Sequence, residues 1–176
     1  MLIKECANAH SFCDNIYTRS DNMARAPYQC LILPYIIEDG IIKYGVFKRS
    51  DHGFWQFISG GGEEGETPIE TAHRECFEEA EIPNNSPIYP LDAMCTIPAE
   101  IFCDEYRAGW GPQCYVIKEY AFALPLEKDI IKISKEHSEY RFVEFKEAME
   151  LLKHDSNKTA LRELRARIKD NNFKQM

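Results

Sequence analysis

Glu75, Glu78 and Glu79 fall within about one helical turn, with Arg74 beside them and Glu66 shortly upstream. Thr67-Pro68-Ile69-Glu70 supplies the start of the helix that would carry them. Thr is a good N-cap, Pro suits the first helical position, and Glu three residues after the cap completes a capping box. The pattern predicts a helix from Pro68 to about Ala80. At about 100° per residue, Ile69, His73, Cys76 and Ala80 share one arc, read as the face packed on a sheet. The three carboxylates share another. Each like-charged pair on an exposed helix costs roughly 0.2–0.5 kcal/mol, and the negative end of the macrodipole disfavours them further. A chain that keeps them either leaves them solvated or holds cations on them. Mg²⁺ and Mn²⁺ want such oxygen ligands and fill their other positions with water and substrate phosphates. A Glu-rich helix in isolation is usually a solvated surface.

Elements on both sides must place this helix. Tyr28 to Ile37 is apolar and β-branched, Glu38-Asp39-Gly40 signals a turn, and Ile41 to Lys48 is a second apolar run. They predict a β-hairpin. A short strand, Phe54 to Ile58, leads into a glycine-rich loop at Gly60-Gly61-Gly62, just before the capped helix. Further strands are expected at Ala93 to Ile97, Tyr115 to Leu124 and Arg141 to Phe145. Helices are expected at Lys146 to Lys153 and at Thr159 to about Asp170, the last capped by Ser156 or Asn157. Strands and helices mixed in this way predict one α+β domain, a mixed sheet sandwiched between helices (α/β/α), over residues 25–176. Residues 1–24 are polar and aperiodic and read as an N-terminal extension.

The 176 residues carry 21 Lys plus Arg against 29 Asp plus Glu, a net charge of −8. That balance argues against nonspecific nucleic-acid or membrane-surface binding, which want a basic field. Between Gly60 and Ile82 there are eight acidic residues and one basic, so this segment alone supplies −7. The acidity is local to the carboxylate helix, where divalent cations would reverse its sign. No run reaches the ~18 apolar residues of a membrane span, and the N-terminus lacks the apolar core of a signal peptide. Seven cysteines with no C-x-x-C pair fit neither a zinc module nor a disulfide framework. Reduced thiols and a cytoplasmic location are the expectation.

Gly60-x5-Glu66-x7-Arg74-Glu75-Cys76-x-Glu78-Glu79-x-Glu81-Ile82 resembles the Nudix box, Gly-x5-Glu-x7-Arg-Glu-U-x-Glu-Glu-x-Gly-U, where U is bulky and apolar. Two positions depart from it. Cys76 replaces the usual Leu, Val or Ile, and Glu81 stands where the box has Gly, forfeiting an easy left-handed turn after the helix. Gly60 to Thr67 also mimics a P-loop, but Glu66 occupies the lysine position and would repel phosphate. Over roughly Arg25 to Glu163 the chain is similar to bacterial nucleoside triphosphate pyrophosphohydrolases of the dATP and dihydroneopterin triphosphate type. The supporting residues are Lys48-Arg49-Ser50-Asp51 before Phe54-Trp55-Gln56, Glu136-His137 before Tyr140-Arg141-Phe142, and Ser156-Asn157.

The resemblance implies a Nudix fold and hydrolysis of a nucleoside triphosphate to the monophosphate and pyrophosphate with Mg²⁺ or Mn²⁺. It implies metal ligation by Glu75, Glu78, Glu79 and Glu136, with the Gly60 carbonyl as an extra ligand. Arg74 and Glu66 would orient the cluster, and Arg25, Lys48, Ser59 and Ser156 would contact substrate. Two other readings stay open: hydrolysis of another nucleoside diphosphate-X, such as a dinucleotide, ADP-ribose, NADH or a nucleotide sugar, or a non-catalytic nucleotide-binding module. The expected partner is a small nucleotide, with no nucleic acid and no membrane; the oligomeric state is left open. Trp55, inside an apolar strand, reads as core rather than as a base platform.

Overall fold

The computed structural model describes residues 24–173; apart from Ala24, the expected N-terminal extension lies outside them. Seven strands form one sheet: β1 (Arg25–Glu38), β2 (Ile41–Arg49), β3 (Trp55–Gln56), β4 (Ile58–Glu63), β5 (Tyr89–Pro98), β6 (Val116–Pro125) and β7 (His137–Val143). Among the described residues four α-helices accompany them: α1 (Pro68–Ala80), α2 (Asp104–Trp110), α3 (Phe145–Leu151) and α4 (Asp155–Asp170).

β1 organises the sheet. Its first half pairs antiparallel with β4 and its second half with β2, while its other edge runs parallel to β6. β5 closes the sheet against β6, and β3 and β7 pair with β2. Cys30 to Ile36 is an unbroken apolar run with Leu31 and Leu33 on one face and Cys30 and Ile32 on the other. Such a run belongs to a strand covered on both sides. Leu31 and Leu33 pack with Ala148 of α3 and Leu161 and Leu164 of α4. Cys30 and Ile32 pack with Ala72, Cys76 and Ala80 of α1. The result is the expected α+β sandwich of helix, mixed sheet and helix. Among the described residues no helix is long and apolar enough to cross a membrane.

Several boundaries differ from the sequence reading. Gly60-Gly61-Gly62 is not a loop; it lies in β4, paired to β1 through Cys30↔Gly60 and Gln29↔Gly61. Phe145 opens α3 instead of ending a strand. α4 begins at Asp155 with His154 at the cap position, so Ser156 sits in its first turn and caps nothing. Asn157 turns inward, and its Oδ1 accepts the Phe57 N–H at 2.9 Å, satisfying the β3–β4 junction. α2 has no buried residues and no apolar period, so no sequence pattern announced it. Trp55 is core, as expected, with the Arg141 guanidinium 4.9 Å from its ring centroid. Cys30 and Cys76 are buried, Cys95, Cys103 and Cys114 are half-buried, and all five are free thiols; Cys6 and Cys13 lie outside the described residues.

Candidate active site

α1 starts as its sequence dictates. Thr67 has extended backbone, its side chain accepts the Glu70 N–H, and Glu70 reaches back to the Thr67 N–H at 2.8 Å. The helix ends at Glu81, which adopts the left-handed conformation at φ 49° and ψ 29° despite its side chain. Its carboxylate pairs with Lys132 at 2.5 Å. The turn that the box assigns to glycine is therefore made anyway, and the departure leaves the carboxylates in place.

The buried side of α1 matches the predicted arc only in part, at Cys76 and Ala80. Thr71, Ala72, Glu75, Cys76, Glu79 and Ala80 are buried, whereas Ile69 and His73 are only partly so. Glu75 is 9% exposed and Glu79 2%. Two of the three clustered carboxylates therefore point towards the sheet rather than into solvent. Glycine makes room for this. A Cβ at Gly60 would overlap the Glu75 carboxyl, and one at Gly61 would overlap the Arg25 guanidinium.

Arg74 ties the cluster together. Its Nε donates to Glu66 Oε1 at 2.8 Å and its Nη2 to Glu66 Oε2 at 2.9 Å, a bidentate pair. Nη1 donates to Glu75 at 2.6 Å and to Glu78 at 3.1 Å, and Nη2 also reaches the Gly61 carbonyl at 2.9 Å. Glu66 additionally accepts from the Glu63 N–H and the Thr71 hydroxyl. Burial alone would push the Glu66 carboxyl up, but the Arg74 bond and these two donors bring it down to about 2.

Glu79 has different company. Its Oε2 lies 2.6 Å from His137 Nε2, and the Ser59 N–H also serves its carboxylate. Burial and the nearby Arg49 charge push His137 down to about 4, so the imidazole is neutral. Glu136 is exposed and takes Arg49 Nη1 at 3.0 Å, while Arg49 grips Asp51 at 2.6 Å. Glu136 is near enough for its charge to raise Glu79, after burial the largest cause of that shift. Arg25 stacks near Phe102 and Tyr106, its Cζ 5.3 and 5.0 Å from their ring centroids. Its Nε is buried without a hydrogen-bond partner. Lys48 is half-buried at the end of β2, in register with Trp55 and Glu139. Ser59 accepts the Gln29 amide at 2.6 Å, and Ser156 lies beside Glu119 on β6.

The structure thus brings Glu66, Arg74, Glu75 and Glu78 into one bonded group, with Gly60 packed against the Glu75 carboxyl. Glu79 and Ser59 adjoin it, Glu136 lies at its rim, and Arg25 stands over Gly61. Ser156 stands apart on α4. Two participants, His137 and Gln29, had no role assigned from sequence, and Arg49, read as a strand-end cation suited either to solvent or to phosphate, instead pairs with Asp51 and Glu136. The signals of the first two were weak, a lone His after Glu136 and a single Gln in an apolar run.

The family model described as NUDIX domain matches residues 42–165. The chain belongs to the Nudix hydrolase family. It is 34% identical over 117 residues to the dihydroneopterin triphosphate diphosphatase of Haemophilus influenzae, covering 65% of this chain and 73% of that one. With the Escherichia coli enzyme of the same name it shares 31% over 143 residues, 80% of this chain and 93% of that one. A Nudix hydrolase crystal structure from Listeria monocytogenes superposes with a TM-score of 0.77 at 40% identity, covering 86% of this chain and 100% of that one.

Nudix hydrolases generally use a divalent cation, and the donor chemistry of this Nudix helix fits one. Burial, and next the Glu79 charge, push the Glu75 carboxyl up to about 8, so its negative charge lacks full compensation within the protein. Among the described residues no three His, Cys, Asp or Glu side chains form a ready-made metal cage. Mg²⁺ does not require one, since it keeps several of its waters and shares its ligation with substrate phosphates.

A pH-dependent metal response follows. The folded-state pKa of Glu75 is raised above its ordinary 4.5. Its contribution to metal-free stability is complete below that value and is lost as pH rises through about 8. A metal ion held by Glu75 would have to displace this proton, so its binding would strengthen over the same window. The melting temperature gained on adding Mg²⁺, relative to EDTA, should grow between about pH 6 and about pH 8.5. A gain that is flat or shrinks with pH would remove Glu75 from the metal site.

Proposed function

We propose that this Nudix hydrolase converts a triphosphate carried on a nucleoside or a related heterocycle, with one water, into the monophosphate and pyrophosphate. The observation that carries this reading is the pair of buried carboxylates, Glu75 and Glu79, aimed at the glycine strand with their charge incompletely matched. Glu75, Glu78, Glu79 and Glu136, with the Gly60 carbonyl, would hold Mg²⁺ or Mn²⁺. When bound, the cation neutralises phosphate charge and helps to generate a hydroxide nucleophile. The chain's own groups do the rest. Arg74 and Glu66 fix the carboxylates in place through the bidentate pair, and a carboxylate of the cluster accepts the proton of the attacking water. The unpartnered Arg25 Nε beside Gly61 suits a phosphate oxygen, with Lys48 and Ser59 as further contacts and Ser156 towards the heterocycle.

The names of the relatives favour dihydroneopterin triphosphate or a nucleoside triphosphate, dATP among them, over dinucleotides and nucleotide sugars. Glu81 makes the left-handed turn that the box assigns to Gly, which supports a catalytic reading over a non-catalytic binding module. The test is a substrate panel with Mg²⁺: dihydroneopterin triphosphate, the (d)NTPs, ADP-ribose, NADH and diadenosine polyphosphates. Pyrophosphate with a monophosphate is the expected product. Turnover confined to ADP-ribose, NADH or dinucleotides would transfer the chain to that chemistry, and absence of turnover on every member would overturn the reading.

A further inference from the structure

On the sheet face opposite α1, a cleft opens between β5 and the first turn of α4, lined by Leu31, Ala93, Met94, Cys95, Ala121 and Ser156. Its walls are mostly apolar, and two carboxylate residues lie among them, Asp155, exposed at the start of α4, and Glu119, the buried one. Glu119 is 5% exposed and sits on β6 beside Gln29 of β1. Leaving a carboxyl in apolar surroundings is costly unless its oxygens are hydrogen-bonded. Two groups serve it: the Ser156 hydroxyl, and the Gln29 Nε2 at 3.4 Å from Oε2. Among the described residues no Lys, Arg or His forms an ion pair with it. A carboxylate has about four lone-pair sites, so acceptor capacity remains on the cleft side. Nothing in the packing requires an acid here; the adjacent inward position, Ala121, is alanine.

The cleft is wired to the carboxylate cluster. The same Gln29 amide donates to Ser59 Oγ at 2.6 Å, and the Ser59 N–H serves Glu79. Gly61, Gln29 and Glu119 form one row across β4, β1 and β6. A ligand with its phosphates at the glycine strand can therefore extend along this row and place its ring over Glu119.

We propose that Glu119 is a specificity-determining residue that reads the heterocycle through two adjacent donors, a ring N–H and an exocyclic amino group. This is the edge of a 2-amino-4-oxo pyrimidine ring, shared by guanine and pterins. Two parallel N–H donors match two carboxylate oxygens in the way a guanidinium fork does. Adenine offers a donor beside a ring lone pair, and that lone pair would face an oxygen of like polarity. A site whose buried polar group is left unpaired by the wrong ligand discriminates strongly. The inference rests on the triphosphate reading above and narrows its substrate class from any base to this edge.

Inosine triphosphate retains the ring N–H of GTP and lacks only the amino group, so it tests one of the two bonds without altering the protein. In the wild type, kcat/KM for pyrophosphate release should favour GTP over ITP and over ATP by about 10- to 100-fold, the range of one good bidentate contact. In E119Q the GTP-to-ATP ratio should fall by at least about 10-fold, mainly through KM for GTP. Equal use of GTP, ITP and ATP by the wild type would overturn the assignment, as would an E119Q loss equal for all three. If no triphosphate is turned over, the triphosphate reading fails by itself, and calorimetry with guanosine, inosine and adenosine then decides the role of Glu119. Tighter guanosine binding in the wild type would support it, and indifference to the base would sink it. Should E119Q fail to fold, the GTP, ITP and ATP comparison on the wild type still decides.

Discussion

Replacing Glu79 by Gln should lower Mg²⁺-dependent pyrophosphate release by about 10²- to 10⁴-fold while leaving the protein folded. The carboxylate is 2% exposed and held from two sides, by His137 at 2.6 Å and by the Ser59 N–H. Gln has the same shape and keeps a carbonyl oxygen that can accept from both, so the local structure survives. What it loses is the negative charge. That charge is expensive in the metal-free protein, because burial, Glu136 and Glu78 all act against it. Neutralising it should therefore leave the metal-free melting temperature equal to or above that of the wild type. The paired result, much less turnover without lower stability, separates a metal seat from a structural carboxylate. Wild-type activity in E79Q would refute the assignment, and a fall in both quantities would mark Glu79 as structural.

Arg74→Met should produce the largest loss of stability of any single substitution in the site. The Arg74 side chain is 20% exposed and donates to Glu66 twice, to Glu75, to Glu78 and to the Gly61 carbonyl. Methionine fills much of the volume and none of the bonds. Glu66 and Glu75 would then be partly buried carboxylates without their cation, a situation that costs about 3–5 kcal/mol. For a chain of this size that is a melting-point drop of roughly 6–20 °C. Lysine should rescue little, because a point charge cannot reproduce the bidentate grip on Glu66. Thermal unfolding in EDTA measures this directly. A shift under about 2 °C would show that the network contributes little.

Much of this site was legible from residue order alone. Thr67-Pro68-Ile69-Glu70 fixed where α1 begins, and the spacing from Gly60 to Ile82 pointed to its chemistry. The hairpin of β1 and β2 was equally plain, because Glu38-Asp39-Gly40 interrupts two apolar runs. What failed was part of the face of α1, since Cys76 and Ala80 are buried as read but Ile69 and His73 are only partly so. Hydrophobic periodicity assigns apolar residues inward, and it placed Ile69 and His73 there. The helix instead buries Glu75 and Glu79, a choice that makes no sense for a core and good sense for holding cations. The glycines misled for a related reason. Three in succession signal a loop, yet they form a strand because Arg25, Tyr28 and Glu75 occupy the space where side chains would stand. His137 and Gln29 were invisible for lack of any pattern, each being a single polar residue whose partner is distant in sequence. Ser156 was assigned two roles, cap and substrate contact; the first is wrong, and Glu119 beside it gives the second a physical setting.

β1 has a consequence for what kind of ligand the molecule can measure. Its even and odd residues report to opposite faces of the sheet, and its two edges join the glycine strand to β6. From Gly61 through Gln29 to Glu119 there are two inter-strand gaps, together about 10 Å. That span is set by backbone hydrogen bonds, so it cannot drift as surface side chains change. On the proposed placement of the substrate, the sheet would act as a ruler with a phosphate mark at one end and a ring mark at the other. Inserting one residue between Arg25 and Leu31 would swap the faces rather than lengthen the scale.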